Sequence, residues 1–68
     1  MNNHEFRTIR QRLGLTQAQL ARVLRYETAL TVSTYERETN PRPIPTHVEL
    51  LMNAYDEGYR PKDWPKEG

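Results

Sequence analysis

The sequence predicts an all-α domain of four to five short helices, and three observations carry that expectation. Apolar residues recur at helical spacing in several separate stretches. Side chains that cap helix starts stand directly before those stretches, and Gly14 and Gly58 stand directly after two of them.

The first helix covers about residues 3–13, where Phe6, Ile9 and Leu13 fall on one stripe at i, i+3 and i+7. Gly14 stops it by taking the left-handed conformation. The second helix has a complete start signal. Thr16 caps, Gln19 stands where a capping box needs it, and Leu15 and Leu20 are spaced as a hydrophobic staple. Its buried face is Leu20, Ala21 and Leu24, and its end falls near Arg25 or Tyr26. Thr28 is placed to cap a third helix over about residues 29–37, with Val32 and Tyr35 inward and Leu30 either core or surface. Between residues 40 and 45, Pro41, Pro43 and Pro45 remove backbone donors and disfavour helix, so this stretch is an extended loop. A fourth helix follows over about residues 46–57, with Thr46 and Glu49 as a second capping box and Val48, Leu51, Met52 and Tyr55 as its stripe. Residues 59–68 have no periodicity and form a tail beyond a domain of residues 1–58.

A chain of 68 residues makes one domain with one small core, too small to enclose a deep substrate cavity. A hydrophobic fraction of 35% and a mean hydropathy of -0.96 imply marginal stability and a gain from a partner. With no cysteine, a disulfide framework and cysteine-based zinc sites are excluded. No apolar run approaches the roughly 18 residues of a membrane span, and no signal peptide is visible. The expectation by default is a cytoplasmic protein with no membrane association.

The net charge of +1 conceals a gradient. Residues 1–25 carry Arg7, Arg10, Arg12, Arg22 and Arg25 against Glu5 alone, whereas residues 46–68 are net acidic. A basic half facing a polyanion and a tail facing elsewhere would account for it. So would arginines that are plain solvated charge.

The run Leu13-Gly14-Leu15-Thr16-Gln17-Ala18-Gln19-Leu20-Ala21, answered by Val32-Ser33-Thr34-Tyr35-Glu36, reads as two short helices with the second presented outward. Such a pair fits the major groove of DNA. Together with Arg10, these residues resemble the helix-turn-helix of the Cro/Xre family of bacterial and phage repressors. Arg42-Pro43-Ile44-Pro45 and Gly58-Tyr59-Arg60-Pro61 are similar to segments of compact phage-type regulators, the anti-CRISPR-associated autorepressors among them. The resemblance implies a lambda-repressor-like fold and a sequence-specific regulator that binds double-stranded DNA. One departure stands out. Arg25 occupies the place of a family glycine, and Glu36 follows it one residue later than usual, which predicts a longer turn between the second and third helices.

The resemblance also assigns roles. Gln17, with Thr16 beside it, would meet a phosphate at the start of the second helix. Arg10 and Glu36 match a structural salt bridge. Ala29, Leu30, Thr31, Ser33, Thr34 and Arg37 fall on the presented face of the third helix as base contacts. Ser33 and Thr34 hydrogen-bond to several bases, and Ala29, Leu30 or Thr31 suit a thymine methyl. No Arg, Asn or Gln stands in the first turn for bidentate reading; Arg37 or Arg42 would supply one guanine contact. Base readout is therefore modest and supplemented by DNA shape and dimerisation. Arg7, Arg25 and Arg42 are expected on phosphates.

One helix-turn-helix spans few base pairs, so a homodimer on an inverted-repeat operator is expected. Leu50, Tyr59 and Trp64 are its candidate interface, although Trp64 could equally fold over the chain's own core. The function so predicted is a dimeric repressor of its own operon. The alternative is an antitoxin-like interaction module that uses the same fold, with the tail as its surface. Catalysis finds little support: His4 and His47 lack acidic partners at ligand spacing, Ser33 lacks a base, and no glycine-rich phosphate loop is present. No metal, cofactor or small-molecule ligand is expected.

Overall fold

In the structure, a computed structural model that describes residues 1–65, the chain forms α1 (Asn3–Arg12), α2 (Gln17–Val23), α3 (Leu30–Glu36) and α4 (Thr46–Asp56). The fold is all-α, with no strand among the described residues. Helix α1 packs against both α3 and α4, and α2 packs against α3. Phe6, Leu20, Val32, Val48 and Met52 meet at the centre, fully buried. Ile9, Leu15, Ala21, Val23, Tyr35 and Tyr55 enclose them. No described helix is long and apolar enough to cross a membrane.

Local chemistry sets the helix ends. Asn2 caps α1 in a capping box with Glu5, and Thr16 caps α2 in a capping box with Gln19. Helices α1, α2 and α4 then end in the same way. The N–H two residues past the C-cap returns to the third carbonyl from the end: Leu15 to Arg10 at 3.3 Å, Tyr26 to Ala21 at 2.8 Å and Tyr59 to Ala54 at 3.0 Å. Each such ending requires one residue at positive φ. Gly14 and Gly58 supply two of them, and Arg25, at φ 65°, supplies the third. An L-residue costs about 1–2 kcal/mol in that conformation. Position 25 is thus a glycine-type turn made by an arginine.

Several expected boundaries shift. Helix α2 ends at Val23, before Arg25, because the left-handed residue ends the ladder. Val23 is accordingly buried, and Leu24, at the C-cap, is only half-buried. The N-cap of α3 is Ala29, with no side-chain cap; the Thr28 hydroxyl instead accepts from the Leu30 N–H at 3.2 Å. Helix α4 starts from Pro45, whose extended backbone (φ -60°, ψ 150°) leads into the first turn, so the Thr46–Glu49 capping box does not form. Glu49 pairs with the Met1 amino group at 2.8 Å. Leu51 lies at the rim of the α4 stripe and is 36% exposed.

Candidate nucleic-acid interface

Helix α3 has two unlike faces. Val32, Tyr35 and Glu36 are buried, which fixes the rotation of the helix about its axis. Leu30 is 69% exposed, which resolves it as surface. Arg37 is exposed at the C-cap, and Ala29, Thr31, Ser33 and Thr34 are half-buried. The Thr34 hydroxyl donates to the Thr31 carbonyl at 2.7 Å, so its proton is committed within the helix.

The inner face is held by a buried ion pair. The Arg10 guanidinium donates twice to the Glu36 carboxylate, at 2.6 and 3.0 Å, and once to the Leu15 carbonyl, at 2.8 Å. A carboxylate this buried needs such a bidentate partner to offset its desolvation. The Gln17 amide donates to the same carboxylate at 3.3 Å. One network therefore joins α1, the start of α2 and the end of α3. Outside it runs a shallow groove lined by Arg7, Gln17, Ser33 and Arg37. Gln17 has one amide hydrogen tied to Glu36 and is half-buried. Thr16 is exposed, but its hydroxyl is engaged in capping, accepting from Gln19 at 3.1 Å.

The other candidate cations lie around α3. Arg25 stands in the turn before it, beside a second groove lined by Arg22, Thr28 and Ala29. The Arg42 backbone N–H donates to the Thr34 carbonyl at 2.9 Å, which ties the proline loop to α3. Arg37 Nε donates to the Asn40 carbonyl at 2.8 Å within the same loop. Behind α3, the Tyr26 and Tyr35 hydroxyls meet at 2.9 Å. Burial, and then that bond, pushes the Tyr26 hydroxyl up to about 12, against a lowering by Arg42.

The tail contributes what the sequence reading missed. Asp63 forms an ion pair with Arg25, a contact between aperiodic segments far apart in sequence that no local signal announces. Trp64 is half-buried, edge-on to Tyr55 at 5.3 Å, with the Arg60 guanidinium 4.3 Å over its ring. Tyr59 stacks on Tyr55 at 6.1 Å and stays 56% exposed, and Leu50 is 65% exposed. Of the three candidate interface residues, Leu50 and Tyr59 are open, and Trp64 seats on its own chain. Residues 66–68 of the tail lie outside the described residues. Glu38 comes within 3.9 Å of His4, with both side chains exposed, and no cluster of three metal-ligating side chains occurs among the described residues.

Comparison with protein families matches residues 4–58 to a family described as helix-turn-helix domain. No curated protein and no solved structure matches the chain in the corresponding searches.

Proposed function

Because the chain belongs to the helix-turn-helix domain family, we propose that it binds double-stranded DNA through the outward face of α3 and acts as a dimeric transcriptional repressor. The carrying observation is the division of α3. Its inner face is locked by Val32, Tyr35 and the Arg10–Glu36 pair, while Leu30, Thr31, Ser33, Thr34 and Arg37 face the solvent side, with Ala29 at the N-cap. A rigidly oriented helix with an uncovered short-side-chain face suits entry into a major groove. Arg7 and Arg25 line the grooves beside it and Arg42 is tied to Thr34 through its backbone; these three would meet phosphates, with Thr16 and Gln17 at the start of α2.

Residues 1–58 form the DNA-binding unit, and the tail from residue 59 contributes with Leu50 to a homodimer that matches an inverted repeat. The protein is a cytoplasmic regulator of the Cro/Xre type, from a phage or mobile element, that represses its own operon by excluding polymerase. An autorepressor of the anti-CRISPR-associated kind would act in this way.

The test is binding to a labelled duplex from upstream of the protein's own gene, competed with random DNA across a salt series. Binding that survives competitor and yields a two-half-site footprint is expected. Loss of all binding under competitor would overturn the reading and leave the protein-interaction module as the alternative. Within the complex, Ser33→Ala with Thr34→Ala should weaken the specific site more than random DNA, and Arg42→Ala should weaken both. Light scattering at micromolar concentration should show a dimer; a monomer at tens of micromolar would remove the dimer from the proposal.

A further inference from the structure

The outward chemistry of α3 narrows what it can read. Of the four hydrogen-bonding patterns in the major groove, guanine calls for a bidentate Arg or Lys, and adenine calls for Asn or Gln. Neither kind stands at Leu30, Thr31, Ser33 or Thr34. The Thr34 proton is spent on the Thr31 carbonyl, and Arg37, tied through Nε to the Asn40 carbonyl, stands at the C-cap, at the opposite end of α3 from Leu30, with its two Nη groups outside that bond. What remains at the first residue of α3 is an isopropyl group. Leu30 is the most exposed large apolar side chain among the described residues. Cations outnumber anions in the grooves beside it: Arg7 and Arg37 stand beside Ser33, and Arg22 and Arg25 stand near the Ala29 end of the helix with Glu27, Arg25 being paired with Asp63. That charge suits a polyanion and disfavours an apolar protein partner.

Resting on the DNA-binding reading, we infer that α3 recognises the 5-methyl group of thymine, with Leu30 as the anchoring side chain. The methyl group is the one apolar feature that distinguishes A·T from G·C in the major groove. Leu30 covers it, and the covered area of both methyl-bearing carbons leaves water. Recognition therefore follows the substituent at the pyrimidine 5-position, whatever base carries it. Uracil, which pairs as thymine does but lacks the methyl, is a poor substitute. 5-Methylcytosine, which places the same methyl at the same ring position, is a better substitute than cytosine.

The test starts from a duplex pool with about 20 randomised base pairs, from which the wild-type chain selects its ligand. The enriched duplex is resynthesised with single thymines replaced by uracil. At the critical thymine the expected loss is about fourfold per half-site, the worth of one buried methyl, and about fifteenfold when both half-sites are changed. Leu30→Ala should lose a similar factor on the thymine duplex and show no preference between thymine and uracil. Leu30 is exposed, so the variant keeps its fold, which its helical circular dichroism verifies. Wild-type binding unchanged by every uracil replacement, or a thymine preference that survives in Leu30→Ala, overturns the inference and leaves DNA binding standing. Failure of the wild type to enrich any duplex overturns both.

Discussion

Replacing Glu36 by alanine removes the acceptor at the centre of the α1–α2–α3 network. The Glu36 side chain is 4% exposed and accepts from both Arg10 and Gln17. Without it the Arg10 guanidinium, 13% exposed, retains only the Leu15 carbonyl. Breaking a buried pair from one side costs about 3–5 kcal/mol, because the remaining charge stays desolvated. A domain of 68 residues has about 3–10 kcal/mol in total, so the loss takes from about a third of its stability to all of it. Replacing both partners, Arg10→Met with Glu36→Leu, removes the orphaned charge and should restore most of what the single change loses. Urea unfolding followed by circular dichroism on wild type, Arg10→Met, Glu36→Leu and the double completes the cycle, with Glu36→Ala measured beside it. The expected result is a Glu36→Ala protein whose urea midpoint falls by about a third or more and a double variant close to wild type. A single variant that loses less than about 1 kcal/mol, or a double variant no better than the single, would refute the assignment of this pair as the lock on α3.

Arg25 gives a second prediction. Arg25→Gly should be more stable than Arg25→Ala by about 1 kcal/mol, because only glycine takes φ 65° without strain; equal melting temperatures would contradict the left-handed turn. Both variants should lose DNA affinity alike and reduce the salt slope by about one. Asp63→Asn frees Arg25 from its carboxylate partner, so affinity for random duplex should rise and the salt slope steepen; unchanged binding in a salt titration would mean that Arg25 does not reach phosphate. Tyr26 titrates at about 12, above the unfolded tyrosine value of about 10. Its contribution to stability is therefore complete below pH 10 and is lost as pH rises through 12. Tyr26→Phe should flatten that alkaline loss in near-ultraviolet circular dichroism, and an unaltered profile would place the sensitive group elsewhere.

What the sequence made legible was local. Thr16 and Gln19 lie within one turn of each other, and the Gly14 and Gly58 endings need only the residues that flank them, so those boundaries could be read directly. The inward register of Val32 and Tyr35 follows from helical period, and Leu30, Ser33 and Thr34 fall outside it by the same geometry. Misreadings came where two signals competed. Thr46 and Glu49 have capping-box spacing, but Pro45 starts the helix one residue earlier and Glu49 has the Met1 amine to meet. Leu24 has the right period for the core, yet the turn at Arg25 lifts it out of the helix. The Asp63–Arg25 pair and the seat of Trp64 on Tyr55 depend on how an aperiodic tail returns to the fold, which no spacing rule encodes.

Trp64 is the chain's one tryptophan, and it sits in the tail. Its indole emission therefore reports the seating of the tail against Tyr55 and Arg60, while helical circular dichroism reports the four-helix core. Followed together through one denaturation, the two signals will separate into distinct transitions if the tail lifts before the core melts, and will coincide if both form one cooperative unit. The same fluorophore stands one residue from the carboxylate that holds Arg25. The chain thus carries an intrinsic optical probe beside its candidate phosphate contact, and it needs no added label.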